Sequence, residues 1–456
     1  MPDEPHRIMT DADRNWGRFV LFRVLFNSRF YYPVLAVLFL DLGLSATEYT
    51  LLNFAWALAI VCTDLPAGVL ADRIGRRPLV VAAALFMVLE MALLGIAPYH
   101  GGLVLLLCCM GNRILSGMAE GMANGADEAL VFDSLAERGR SGEWPLVLDQ
   151  VMRWQAVGMV IAMLVGGAVY DPIFMGHLLG FFGANVHLTQ STTLRFPIYL
   201  NLITALLTLV TALGLREPAV RTKTVAPGST ESGNPEITAW SLVVNAGRWI
   251  VQTPVALFVI LAGVLLDSVV RLFLTFSSSY FRIIDLPEAT FGVIGAVMGG
   301  LGMVVSPVAR RMVAVNSVAR NYGLIATTVL IGLIGVACRW PYWGVLFMLP
   351  LMGAMMALGY CVSYYLNAIV DSSHRATVLS FKGVIFNLGY GFISLVFALV
   401  LRAVRDGGST QDAIARSMVF LPVWVLFGGL ACVCAFWKQR RSLTSVISLA
   451  AKDESR

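Results

Sequence analysis

Twelve apolar runs follow one another along the chain, at about 17–40, 47–71, 78–98, 102–125, 149–170, 196–215, 253–281, 289–309, 321–338, 342–369, 376–402 and 413–437. Each is near the ~20 residues that a helix needs to cross a bilayer. In lipid every backbone N–H and C=O must be satisfied within its own segment, so such runs fold as helices. The fold class this predicts is an all-α membrane protein with twelve transmembrane helices. Charged residues make up only 13% of the chain and the mean hydropathy is +0.76, whereas a soluble domain carries about 25% charge. The first sixteen residues mix acids with arginines and do not read as a cleavable signal, so the first span is expected to stay.

An even number of spans puts both termini on one side. If that side is cytoplasmic, most of the 33 Lys and Arg residues lie inside, and the outer loops carry only Arg195, Arg282, Arg339, Arg402, Arg405 and Arg416. Arg23, Arg29, Arg113, Arg153 and Arg271 fall within spans. This bias predicts cytoplasmic termini in a multi-pass protein of the cell (inner) membrane. The net charge of +5 then reflects topology, not nucleic-acid binding. The seven cysteines lie in or beside spans and read as small packing residues, with neither a disulfide framework nor a metal site implied. No Gly-x-x-x-x-Gly-Lys-Ser/Thr loop is present to bind a nucleotide. The five histidines are scattered over termini and loops, and no Gly-x-Ser-x-Gly appears. No enzyme and no cofactor is therefore expected.

Between the second and third runs stands Gly68-Val69-Leu70-Ala71-Asp72-Arg73-Ile74-Gly75-Arg76-Arg77. Its charge and glycine predict a tight cytoplasmic turn, with Gly68 and Gly75 permitting sharp reversal and close approach. Arg73, Arg76 and Arg77 would hold it inside, and Asp72 would pair with an arginine or a helix N-terminus. Gly68, Arg76 and Arg77 recur as Gly302, Arg310 and Arg311, with Ser306 at the place of Asp72. The polar segment 216–250, rich in Pro, Gly and Ser over 216–240, separates a six-span half at 1–215 from another at 251–437, with a tail at 438–456. Residues 236–250 could form an interfacial helix with Trp240 and Trp249 at the lipid boundary.

The loop pattern Gly-x-x-x-Asp-Arg-x-Gly-Arg-Arg resembles the signature of the major facilitator superfamily of secondary transporters. Asp64-Leu65-Pro66-Ala67-Gly68 before the loop is similar to a bacterial subset that carries acid-x-Pro-x-Gly there. Gly125-Ala126-Asp127-Glu128-Ala129-Leu130-Val131-Phe132-Asp133-Ser134-Leu135 and Arg375-Ala376-Thr377-Val378-Leu379-Ser380 match that subset too. The resemblance implies two pseudo-symmetric six-helix halves around a central cavity. It also implies an inner gate of Gly68, Asp72, Arg73, Gly75, Arg76, Arg77 and Asp133, in which Arg76 pairs with Asp133 and Asp72 faces Arg375 and Thr377, holding the halves together. The fifth span lacks the Gly-Pro motif of drug/proton antiporters, and Met175 to Ser191 resembles an insertion, either a variable loop or a cover over the cavity mouth.

A charge near the bilayer centre costs ~2.5–3.5 kcal/mol on insertion scales, so each one needs a reason. Asp267 and Arg271 stand i,i+4 on one face of the seventh span, either as a self-neutralising pair or as a transport site. Arg113 and Glu120 share a face of the fourth span, and Arg113 lies in the superfamily's Arg-x-x-x-Gly pattern. Arg29 could meet Asp64, Glu90 or an anionic substrate, and Arg23 could snorkel to the headgroups. Tyr360, Tyr364 and Tyr365 either line the cavity or form an aromatic belt. Substrate or coupling residues are thus expected among Arg29, Asp64, Arg113, Glu120, Asp267 and Arg271. The function expected is a monomeric secondary active transporter that moves a small solute by alternating access. Protons would drive it, through Asp64, Glu120 or Asp267, because burial disfavours the charged form of a carboxylate. Efflux of amphiphiles, uptake or uniport of an organic anion, and a non-transporting sensor on the same fold are the alternatives.

Overall fold

A computed structural model of the chain describes residues 11–99, 101–184, 187–218, 247–370, 375–404 and 409–437. Among the described residues the secondary structure is entirely helical. Eleven helices there are long and apolar enough to cross a membrane. The first span is the twelfth, and it differs from the continuous helix expected over 17–40. It runs as helix Asp11–Asn27, an irregular stretch, a 3-10 turn Tyr32–Val34 and helix Leu35–Asp41. Pro33 is the cause. It has no N–H to give the carbonyl four residues back, which is that of Arg29, and its ring crowds that carbonyl. Tyr32 N–H reaches Arg29 O instead, at 3.2 Å.

The seventh span is also in two pieces, Pro254–Thr275 and Ser277–Ile283, rather than one run over 253–281. Three successive serines follow Phe276 at the break, and serine competes for backbone partners. The fourth span is helix Leu103–Ala123, a left-handed Gly125 (φ 79°) and helix Ala126–Ala136. The eighth continues to Val315, through the second copy of the repeat.

The tight turn expected within 68–77 is confined to the end of the segment. Helix Ala46–Ile74 runs straight through Pro66 and Gly68, and the next helix is Arg76–Gly95. The reversal uses one residue, Gly75, at φ 104°, a conformation L side chains rarely adopt. A Cβ on Gly68 would meet nothing within 4 Å, so this glycine permits no close approach here. Nor is 175–191 a plain loop. Asp171 caps helix Pro172–Phe181 by accepting the N–H groups of Ile173 at 2.8 Å and Phe174 at 3.1 Å. Phe181 and Phe182 are exposed at its end. Trp240 lies outside the described residues, while 247–252 are helical and Trp249 is half-buried.

The chain divides into two compact units. The first comprises Met1–Tyr32, Ala59–Pro98 and Leu107–Thr224. Within it helix Asp11–Asn27 packs against the fifth span, Trp144–Tyr170, and the sixth, Phe196–Gly214. Glycines of the fifth span let the broken first span come close: a Cβ on Gly166 would stand 1.8 Å from Phe30 O, and one on Gly158 2.7 Å from Ser28 Oγ. The freed Phe30 N–H donates to Asn201 Oδ1 at 2.9 Å. The second unit comprises Pro33–Leu58, Tyr99–Leu106 and Val225–Arg456. Helix Pro254–Thr275 is its centre, packed on the tenth span Met348–Ile369, the eleventh Arg375–Val404 and the twelfth Phe420–Phe436.

Candidate functional site

Each unit carries its own buried cluster of charge. In the first, the break at Pro33 leaves Arg29 on irregular backbone, 3% exposed, beside Glu90, which is 0% exposed. Arg29 Nη1 is ion-paired with Glu90 Oε1, and the guanidinium lies 5.2 Å from the Phe26 ring centroid. Of the partners open to Arg29, the structure therefore supplies Glu90. Asn112 Nδ2 donates to the Glu90 carbonyl at 2.9 Å. Arg29 Nη2, Glu90 Oε2 and the Tyr31 hydroxyl are buried without a hydrogen-bond partner among the described residues. Tyr32 lies within electrostatic reach of Arg29, Glu90, Arg113 and Glu120 together. Arg113 is buried and Glu120 half-buried. The cluster thus gathers two cations and two acids around the point where the first span leaves the helical ladder. Tyr31 and Tyr32 escaped sequence reading because only the Pro33 break turns them toward the charges.

In the second unit Arg271 Nη2 lies 2.7 Å from Asp267 Oδ2. Arg271 Nη1 donates to Asn387 Oδ1 at 3.0 Å, and its guanidinium sits 5.4 Å from the Tyr390 ring centroid. The Tyr390 hydroxyl is 3.0 Å from Thr275 Oγ1, and Trp56 meets the ring edge-on at 6.1 Å. Lys382 completes the group, within electrostatic reach of both Asp267 and Arg271. The self-neutralising pair is therefore a group of three charges with one acid. Lys382 stands inside the eleventh span. A cation well inside the run 376–402 was the signal available for it, and Asn387 and Tyr390, three residues apart, share a helical face beyond it.

At the Gly75 turn Arg76 Nη1 is paired with Asp133 Oδ2 and donates to Ala129 O at 2.6 Å. Both partners belong to the first unit, so this pair joins the turn to the extension of the fourth span and does not tie one half to the other. Glu217 Oε1 accepts Arg76 N–H at 2.9 Å and Oε2 accepts Arg77 N–H at 2.7 Å. That carboxylate satisfies the open N–H groups of a helix start, and nothing in a polar linker marked it. Arg77 Nη2 donates to Leu213 O at 3.0 Å, and Arg73 is exposed. Asp72 is on the helix, but its side chain and those of Arg375 and Thr377 lie outside the described residues. Asp64 Oδ1 accepts from Asn124 Nδ2 at 3.1 Å. Arg23 does not snorkel freely: its Nε is 2.6 Å from buried Asp127 and its Nη2 2.6 Å from Glu128. Tyr365 is in the core, its hydroxyl bonded by Asn321 Nδ2 at 2.7 Å, while Tyr364 is exposed. Cys62, Cys338 and Cys434 are exposed rather than packed.

A multi-pass helical membrane protein with buried charge clusters set at broken spans is the architecture of a solute carrier. The chain belongs to the Major Facilitator Superfamily, whose sequence model matches residues 19–394. Among solved structures it is similar to the nucleoside transporter NupG, at 12% identity and a TM-score of 0.71, covering 94% of this chain and 99% of that one. A bacterial homologue of the human lysosomal transporter Spinster gives 15% identity and a TM-score of 0.66, covering 95% of this chain and 98% of that one. A D-xylose–proton symporter gives 14% and 0.64, covering 93% and 97%. No curated protein matches the sequence. At these identities the likeness shows the fold.

Proposed function

We propose that the protein is a secondary active transporter that carries a small organic anion together with protons, by alternating access between residues 1–215 and 251–437. The observation that carries this reading is the imbalance around Asp267: one buried acid faces two cations, Arg271 at 2.7 Å and Lys382 within electrostatic reach. With Asp267 ionised, the acid occupies the cations. With Asp267 protonated, both are released to an anionic solute, and a bound anion in turn favours the proton by linkage. Proton and anion then bind together and leave together, which is symport. Arg29, Arg113, Glu90 and Glu120 form the polar counterpart in the first half. Arg76 and Asp133 brace the turn within the first half and Asp72 beside it serves the inner gate, both termini are cytoplasmic, and the protein works as a monomer in the cell membrane. The related D-xylose–proton symporter and the match to the superfamily support transport.

Purified protein in sodium-free proteoliposomes, given an imposed pH gradient, is expected to accumulate members of an organic-anion panel. Asp267→Asn should abolish gradient-driven accumulation yet keep solute exchange down its own gradient. Accumulation that survives collapse of the pH gradient would reject proton coupling, and uptake confined to uncharged amphiphiles would reject the anion.

A further inference from the structure

Three spans of the second unit leave a trough between them. It holds about 730 Å³ and is walled by the seventh span, Pro254–Thr275, the ninth, Val318–Ala337, and the twelfth, Phe420–Phe436. Small residues make it. Ala319, Gly323, Ala326 and Leu330 line it from the ninth span, and their spacing puts them on one helical face. Gly429 and Cys432 line it from the twelfth. A Cβ on Gly323 or Gly429 would meet nothing within 4 Å, so no described residue fills the space. Of the lining side chains only Tyr322 and Trp437 carry a nitrogen or oxygen, and the Tyr322 hydroxyl donates to Val259 O at 3.0 Å. A compact polar solute finds no handle on such a surface; a hydrocarbon chain needs none. From Ala319 to Leu330 the trough runs ~16 Å along the helix, and one leaflet's share of the hydrocarbon core is ~15 Å. Spread over that length, the volume has a mean cross-section of ~45 Å², about half the ~80–110 Å² of a helix with its side chains. The space is too narrow for another protein helix. One rim lies where the ninth span begins and the twelfth ends, at Ala319 and Trp437. Arg320, next to Ala319, is exposed. Trp437 is followed by Lys438, Gln439, Arg440 and Arg441, and no Asp or Glu stands between Asp412 and Asp453. Chain connectivity alone keeps Arg441 within ~14 Å of Trp437.

We propose that the trough binds one acyl chain of an anionic phospholipid, whose headgroup is held at the rim by Arg320, Lys438, Arg440 and Arg441. On the topology proposed above this is the inner leaflet, and the site is independent of which solute the protein carries. Neither half of the arrangement would suffice alone. Basic residues that flank a span attract anionic lipids diffusely. A recess between spans takes an acyl chain from any lipid. A chain lying in the trough touches protein on three sides instead of one, and such dispersion contacts are small singly and large together. With the cations fixed at the mouth of that recess, the lipid that stays is the one carrying negative charge at the end of a seated chain. The two properties are therefore separable: the walls decide whether a chain is bound, and the cations decide which headgroup it bears.

Trp437 borders the trough and supplies the reporter. The protein is placed in phosphatidylcholine vesicles doped with phosphatidylglycerol brominated along its chains, or with phosphatidylcholine brominated in the same way. The Trp437 signal is the difference between the parent and Trp437→Phe. Brominated phosphatidylglycerol should quench it at a mole fraction on the order of tenfold lower than brominated phosphatidylcholine. Arg320→Gln combined with Lys438→Gln, Arg440→Gln and Arg441→Gln should bring the two lipids to the same mole fraction. Arg320→Lys with Arg440→Lys and Arg441→Lys, which keeps the charge, should retain the preference. Gly323→Leu with Ala326→Phe fills the trough and should abolish quenching at low phosphatidylglycerol although every cation is in place. Gly429→Leu fills it from the opposite wall should that variant fail to fold. Equal quenching of the parent by both lipids would mean bulk lipid only and overturn the proposal. A preference that survives in the charge variant or in the filled variants overturns it too. Parent protein that neither lipid quenches, but that both quench once residues 442–456 are deleted, would give the trough to the chain's own tail and reject the lipid.

Discussion

Arg29 and Glu90 show how a buried charge in a span is decided by its surroundings. The sequence offers several partners for Arg29; the Pro33 break and the depth of Glu90 select one. Because both side chains are almost fully enclosed, Glu90→Gln leaves an unpaired guanidinium in a dry site. Breaking such a pair costs about 3–5 kcal/mol, whereas apolar residues of similar volume at both positions are often tolerated. Glu90→Gln is therefore expected to lower the thermal midpoint in detergent sharply. Arg29→Met combined with Glu90→Leu should recover most of that loss. A double variant as unstable as the single one would mean that the pair is not the stabilising unit. The other residue-scale lesson is Lys382. Its place inside the run 376–402 did not name a partner, and only the packing of the eleventh span on the seventh brings it within electrostatic reach of Asp267.

At the scale of elements, the apolar runs located the spans well because the bilayer imposes their length. It was inside the runs that the reading failed. A hydropathy window passes over Pro33 and over the serines after Phe276, since one proline or three small polar residues barely change the average. Yet these residues break the two helices that carry Arg29 and Arg271. Glycine was misread in the opposite sense. Gly68, in a conspicuous motif, sits in open helix; Gly166, in an ordinary apolar stretch, has the Phe30 carbonyl where a Cβ would be. Alanine at each position separates the cases. Gly166→Ala must displace backbone and should strongly reduce the yield of monodisperse protein. Gly68→Ala should cost nothing in thermal stability, since alanine is the better helix former by about 1 kcal/mol in peptides. Equal behaviour of the two variants would contradict the contact at Gly166.

For the whole molecule, the superfamily that the motifs led the sequence reading to expect is the one whose model matches residues 19–394. The stitching behind those motifs was not legible, because its partners lie far apart in the chain and look like linker. Arg216 and Glu217 open the polar segment 216–250 that reads as the separator of the two halves. In the structure Asn15 holds both the N–H and the carbonyl of Arg216, at 3.0 and 2.8 Å, and Glu217 caps the helix that starts at Arg76. The first half therefore includes residues through Glu217. A protease site placed among the Pro, Gly and Ser residues near 228–233 tests this. After cleavage there, the two fragments should still elute together and pH-driven uptake should persist, because the bonds from Asn15, Arg18 and the Arg76 turn to 214–217 remain within the first fragment. Co-expressed fragments split between Leu213 and Gly214 should lose uptake instead, since the cut separates Gly214, Arg216 and Glu217 from their partners Arg18, Asn15 and the Arg76 turn. Normal uptake from that second pair would show that the end of the sixth span contributes no more than a tether.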